Sequence, residues 1–317
     1  MRYIGKKIGM MLFTLLVVSL CVFLAFHLIP GDPALRQLGT NGTPEQLKAL
    51  RHEMGLDRPV MVQYFSWLLG IFHGDLGSSY VYKIPVTGML GEKIPITITL
   101  ALMSFVIMIL ISLPLGIYTA KHKDGKIDHL IMVLNQVVMA VPPFFAGILL
   151  TLVFGMILKL FTPGGFVSYH TSIPGFLGYL FFPAIAIALP KSAMAVKLLR
   201  SSVIEEAGKD YTRTAYSRGN TTNAVLYRHV LQNAMIPVVT FMGMTLADMV
   251  AGSIVIEQVF GIPGISRILL TSINNRDYPV VEAIILGIAT LVIVINLFVD
   301  VLYRILDPRI AIVSNDL

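Results

Sequence analysis

Runs of apolar residues long enough to cross a bilayer alternate with short polar segments along this chain. A spanning helix needs about 20 such residues. The pattern predicts spans at about 9–29, 97–120, 130–160, 176–196, 236–260 and 281–303. The third run is long enough for a tilt or a break, and Pro142-Pro143 in its middle removes backbone hydrogen bonds and predicts a kink. Between 261 and 280 the pattern is only partly apolar, which predicts a re-entrant or interfacial piece. The first run follows Arg2, Lys6 and Lys7. It exceeds the 7–15 residues typical of a signal peptide and ends in Phe26-His27-Leu28-Ile29-Pro30-Gly31-Asp32-Pro33 instead of small residues, so it predicts a span.

Charge orients these spans. Lys121, Lys123 and Lys126 follow the second run; Lys191, Lys197 and Arg200 mark the exit of the fourth; Arg304 and Arg309 follow the sixth. Cationic loops lie inside. Residues 31–95 carry six Lys/Arg against six Asp/Glu, a balance that fits the outer face. Within that insert Thr43-Pro44-Glu45-Gln46 predicts a capped helix start and Gly55 its stop. A second short helix near 60–72 carries Tyr64, Phe65 and Trp67, read as a packed or interfacial aromatic belt. Composition closes the matter of class: 56% hydrophobic and 13% charged residues exclude an ordinary soluble domain. The net charge of +6 follows the inner loops and does not point to nucleic acid. The one cysteine, Cys21, allows no disulfide framework or cysteine metal site. The expected fold class is an all-α membrane protein of six transmembrane helices, with both termini cytoplasmic.

One polar, basic segment interrupts the apolar second half, residues 210–237. A helical pattern runs to Arg218 and breaks at Gly219-Asn220, a pair that tolerates left-handed backbone. It restarts with Thr221 or Thr222 as N-cap, and Ala224, Tyr227, Leu231 and Ala234 then recur along one face. Two short cationic helices at an angle between spans form a docking element or an ordinary cytoplasmic loop. Thr214-Ala215-Tyr216-Ser217-Arg218-Gly219, then Arg228-His229 and Asn233-Ala234-Met235-Ile236-Pro237, resemble the EAA loop of ABC importer permeases. The version is similar to that of the oligopeptide/dipeptide/nickel permease family, with Arg213-Thr214 in place of Glu-Ala and Gln232 in place of the first proline.

Further motifs extend the resemblance along the chain. They are His27 to Pro33, Met54-Gly-Leu-Asp-Arg-Pro59, Gln63-Tyr64 with Trp67, Gly74-Asp-Leu-Gly-Ser-Ser79 and Pro95 to Thr99. Near the end stand Glu257 to Gly264, Arg276-Asp277-Tyr278-Pro279, Asn296 to Asp300 and Asp307 to Ile310. The resemblance implies a coupling loop at about 200–236, in which Arg213, Thr214, Ala215, Tyr216, Ser217, Arg218 and Gly219 meet an ATPase subunit. It implies an exposed domain at 31–96, after a first span within 1–30, with Asp32, Gly74 and Asp75 facing an extracytoplasmic binding protein. Residues 97–303 would then form the permease core and 304–317 a cytoplasmic tail. Implied partners are a second homologous permease, two ABC ATPase subunits that hold ATP and magnesium, and the lipid bilayer of a bacterial or archaeal cytoplasmic membrane. Cargo would be short peptides, or alternatively nickel or a nickel chelate.

Carboxylates at membrane depth are the remaining signal. Asp248 and Asp300 lie within apolar spans and Glu257 nearer an end, so each must face protein or a wet cavity. Asp248, with Asn135 and Gln136 on the third span, is a candidate for the translocation pathway; hydrogen-bonded packing is the competing role. Two aspartates also raise an intramembrane aspartyl protease, but Leu-Ala-Asp248-Met and Phe-Val-Asp300-Val lack a Gly-x-Gly-Asp setting, and Asp300 sits at ion-pair spacing from Arg304. A proton-coupled secondary transporter would carry inverted repeats, which the sequence does not display. The chain has no Gly-x4-Gly-Lys-Ser/Thr phosphate loop, and His52-Glu53 lacks the second histidine of a zinc-protease helix. No catalytic residue and no metal or cofactor site is expected.

Overall fold

The computed structural model describes residues 2–28, 31–39 and 42–306, with side chains at 5–28, 31–39 and 42–299. In chain order the helices are α1 (Arg2–Leu28), α2 (Pro33–Leu38), α3 (Pro44–Glu53), α4 (Val60–Phe72), α5 (Val86–Gly91), α6 (Ile94–Lys121), α7 (Lys126–Ala140) and α8 (Pro143–Leu150). They continue as α9 (Ile173–Ala207), α10 (Asp210–Ser217), α11 (Thr222–Val225), α12 (Leu231–Phe260), α13 (Ile265–Asn275) and α14 (Tyr278–Leu306). No strand occurs among the described residues. The protein is an all-α membrane protein, with five helices long and apolar enough to span and up to six if one bent pair counts.

That bent pair is the third apolar run. Helix α7 and the arm from Pro143 to Ile157 meet at 102°. Val141 and Pro142 adopt extended backbone there, so the expected kink is a full break. Beyond α8 the chain widens into a π turn, Thr151–Ile157. The side chains of the expected Asp300–Arg304 ion pair, and the tail from 307, lie outside what the structure describes.

The helices sort into two compact units. One takes in Met1–Thr97 and Pro263–Ile293. In it α4 lies on α1: the Ser19 and Tyr64 hydroxyls meet at 3.0 Å, and Phe23 packs against the rings of Tyr64 and Trp67. Helix α3 begins with a complete capping box, Thr43 Oγ1 accepting from Gln46 N–H and Gln46 Oε1 from Thr43 N–H. Helix α13 starts at a glycine that supplies no cap, and the Thr97 hydroxyl accepts its Ile265 N–H at 3.2 Å. The partly apolar stretch before the last span is this amphipathic helix, burying Ile265, Ser266, Leu269 and Ser272.

The second unit takes in Ile98–Ile262 and Val294–Leu317. Its centre is α9, which packs on α12, α7 and α8. Much of its buried surface is alanine (Ala184, Ala186, Ala188, Ala193 and Ala195), which lets neighbouring helices approach closely. Gly116 of α6 serves the same end: a Cβ there would lie 2.8 Å from Leu199.

Candidate functional site

Helix α10 leaves α9 after a break at Gly208-Lys209. The Thr212 hydroxyl bonds back to the carbonyls of Ala207 and Lys209, at 2.8 and 2.6 Å. Tyr211 donates to Glu206 at 2.7 Å and accepts from the Asn233 amide at 3.2 Å. Burial raises its phenol pKa, and the Glu206 hydrogen bond adds to the rise. Glu206 also pairs with Lys209 and holds that ammonium above the usual lysine range. Thr212 and Ala215 are buried, so α10 is clamped along one side.

Its other side is bare. Arg213, Thr214, Tyr216, Ser217, Arg218 and Gly219 are all exposed, and of the seven expected coupling residues only Ala215 is buried. The turn is made by Gly219 at φ +81°, where an added Cβ would meet nothing within 4 Å, so backbone shape and not space demands glycine. Asn220 donates through its side chain to the Ala215 carbonyl at 3.0 Å. Thr221 is the N-cap of α11, accepting from Ala224 N–H. The predicted apolar face needs correction. Val225, Leu226, Val230 and Ala234 are buried, whereas Tyr227 is exposed. A π turn at Leu226–Val230 causes the shift: Leu231 N–H reaches Leu226 O, which adds a residue to the turn and rotates the face.

Two ion pairs tie α9 to its neighbours, and neither was drawn from the sequence. Arg200 grips Asp128 at the start of α7 by two bonds, Nε to Oδ1 at 2.8 Å and Nη2 to Oδ2 at 2.7 Å. The Asp128 side chain is only 2% exposed. Lys191 donates to Asp248 of α12 at 2.9 Å. Helix α9 runs on to Ala207, so Lys191 lies in its interior and not at a span's exit. The Asp248 side chain is 64% exposed, on the surface of this unit. Asn135 has a buried Nδ2 without a partner and Gln136 is exposed on α7; no hydrogen bond links either to Asp248 among the described residues.

The other unit holds the residues expected to face a binding protein. Asp32 is spent on structure, capping α2 through Ala34 N–H at 3.0 Å and pairing with Arg51 at 2.8 Å. Gly74 (φ +78°) and Asp75 form an exposed turn in which Asp75 Oδ1 accepts from Gly77 N–H. That turn leads to Ser79, where two of the sequence motifs meet. Ser79 Oγ and Tyr80 N–H both donate to the fully buried Asp277, across nearly two hundred residues.

Residues 1–101 match the family of the N-terminal region of binding-protein-dependent transport system membrane components, and residues 112–312 match the inner membrane component itself. The chain belongs to that family. This inner membrane component is 37% identical over 305 residues to a putative peptide transport system permease protein of Brucella abortus, covering 96% of this chain and 97% of the relative. It is 33% identical over 335 residues to the dipeptide transport system permease protein of Escherichia coli, covering 98% of each. A probable peptide ABC transporter permease protein of Sinorhizobium fredii is 30% identical over 308 residues, covering 97% and 98%. As a permease it is no enzyme, and the aspartyl-protease reading falls. Its family works with ATPase and substrate-binding partners in the membrane.

Proposed function

We propose that this permease forms part of the translocation pathway for short peptides in an ATP-driven importer. The observation that carries the reading is the alignment of nearly its whole length with permeases named for peptides and dipeptides. Of the two cargoes left open by the sequence we take the peptide over nickel.

In this reading the bent α7–α8 pair counts as one span, giving six, with both termini cytoplasmic. Residues 31–96 lie outside between spans one and two, where Gly74 and Asp75 meet the binding protein and Asp32, committed to Ala34 N–H and Arg51, supports the insert. The exposed turn of Arg213 to Gly219 lies inside between spans four and five and seats on an ATPase. The complete machine pairs this chain with a second, homologous permease and two ATPases that carry ATP and magnesium. Closure of the ATPases around ATP moves the seated turn. Because Thr212 and Ala215 clamp α10 and the turn continues through α11 into α12, that movement passes to the helix bearing Asp248 and shifts the spans between inward- and outward-facing states. Asp248 and Lys191, an exposed ion pair within spanning helices, fit a wet surface far better than lipid. With Asn135 and Gln136 they are the candidate wall of the pathway.

The test is uptake by proteoliposomes holding both permeases and the ATPases, supplied with loaded binding protein. Labelled dialanine should accumulate only with internal ATP, and accumulation should persist when a protonophore collapses the proton gradient. Uptake of nickel ion without dialanine would overturn the cargo, and collapse with the proton gradient would overturn the mechanism.

A further inference from the structure

Within the unit formed by Met1–Thr97 and Pro263–Ile293 there is a cavity of about 260 Å³. Glu282, in the first turns of α14, forms part of its wall and is 4% exposed. Among the described residues it has no hydrogen-bond or ion-pair partner. A carboxylate so placed has to be neutralised by something that enters the cavity, either a proton or a cation.

The surrounding residues do not supply that cation. His27 lines the same space, but its Nδ1 faces Phe23 O at 3.0 Å and its Nε2 faces Gln63 Oε1 at 3.1 Å. Arg58 is the one arginine or lysine in the described lining, is exposed, and makes no bond to Glu282. Aromatic residues, Phe23, Trp67, Tyr80 and Tyr278, make up much of the remaining wall. Their ring faces attract cations. Burial first, then the nearby Glu282 and Asp277 carboxylates, raise the pKa of the Tyr80 phenol. Asp75, the other carboxylate of the lining, is exposed and accepts from Gly77 N–H, so Glu282 and a committed histidine offer too few ligands for a hard metal ion.

We propose that this cavity binds a primary ammonium group, with Glu282 as its counter-charge and aromatic rings around it. Two sources carry that chemistry: the amino terminus of a peptide and the headgroup of phosphatidylethanolamine. The peptide source rests on the import reading above; the lipid source does not.

Trp67 is the chain's single tryptophan, so its emission reports directly on the cavity. The full chain in phosphatidylglycerol nanodiscs is titrated with dialanine, with N-acetyl-dialanine, and with phosphatidylethanolamine in the lipid mixture. A saturable change in Trp67 emission is expected with at least one amine probe and none with the acetylated one. The probe that responds names the source. Glu282→Gln should weaken the response at least tenfold, while Glu282→Asp keeps part of it. Equal responses to free and acetylated probes, no response to either amine, or unchanged affinity in Glu282→Gln would overturn the site. Should Glu282→Gln fail to fold, the comparison of free with acetylated probe on the unaltered chain decides alone. The titration contains no ATPase, so its outcome is separate from success or failure of import.

Discussion

In the proposed docking turn one backbone angle, that of Gly219, sets the shape. An L-residue held at φ +81° costs about 1–2 kcal/mol, and nothing else around Gly219 would object to a side chain. Gly219→Ala should therefore distort the turn locally and leave the spans inserted. Gly219→Pro should do so more completely, since proline fixes φ near −65°. In the assembled importer both variants should lower uptake and uncouple ATP hydrolysis from the loaded binding protein, with proline the worse. Normal uptake together with normal stimulated hydrolysis would remove the docking role from this turn. The neighbouring Arg213–Asp210 pair, 3.5 Å apart with both side chains almost fully exposed, is worth at most about 1 kcal/mol and explains none of this. At Asp248 the decisive change is Asp248→Asn, which keeps the shape and loses the charge facing Lys191. If the pair lines the pathway, uptake of cationic peptides should fall several-fold relative to neutral ones at matched protein levels. Equal rates for both would return Asp248 to a packing role.

At the scale of elements, local signals were legible in the sequence and long-range ones were not. The capping box at Thr43, the stop at Gly55 (φ +69°) and the break at Gly219-Asn220 each depend on a few adjacent residues, and each stands where the pattern puts it. The long apolar helices were readable for a similar reason, because hydropathy over about 20 residues is a strong signal, whereas their ends and the 102° angle of the break in the third run were not. The face of α11–α12 was misjudged because a π turn changes the helical period and leaves no mark in composition. The Asp128–Arg200 pair escaped because its partners are 72 residues apart and Arg200 looked like one more inner-loop cation. Glu282 and Asp277 escaped likewise; their roles depend on what α13 and α14 pack against within their unit. The Asp128–Arg200 clamp makes its own prediction. Removing one partner of a buried pair strands the other charge, at about 3–5 kcal/mol, whereas replacing both with apolar residues is close to neutral. Arg200→Met or Asp128→Leu alone should sharply lower the thermal unfolding temperature of the purified chain in detergent, and the double variant should recover most of the loss. Additive effects in the double variant would show that the two side chains do not act as a pair.

On the scale of the whole molecule the inner and outer faces are the open question, and the distribution of charge gives a definite answer to test. Lys121, Lys123 and Lys126 and the turn at Gly219 should lie inside, and the charge-balanced insert between the first two spans should lie outside. Within the expected insert α2 and α3 carry their own N-caps, at Asp32 and Thr43, and the Asp32–Arg51, His52–Asp57 and Lys83–Glu53 pairs add to them. The His52 hydrogen bond holds the Asp57 carboxyl below its usual range. The exposed apolar residues of α4, among them Met61, Phe65, Leu69 and Phe72, suit a helix lying at the membrane interface beside it. Because Cys21 is the sole cysteine, Cys21→Ser gives a clean background for labelling. On that background Lys48→Cys should react with an impermeant maleimide in intact cells, or in spheroplasts where there is an outer membrane. Lys123→Cys should react only after the membrane is opened, and so should Ser217→Cys beside the turn. The six-span arrangement makes a further demand, because it counts the bent α7–α8 pair as one crossing: Tyr169→Cys, between that pair and α9, must label from outside. If Tyr169→Cys labels only from inside while Lys48→Cys labels from outside, the pair is a re-entrant loop, the chain has five spans, and the placement of every element after Pro142 changes with it.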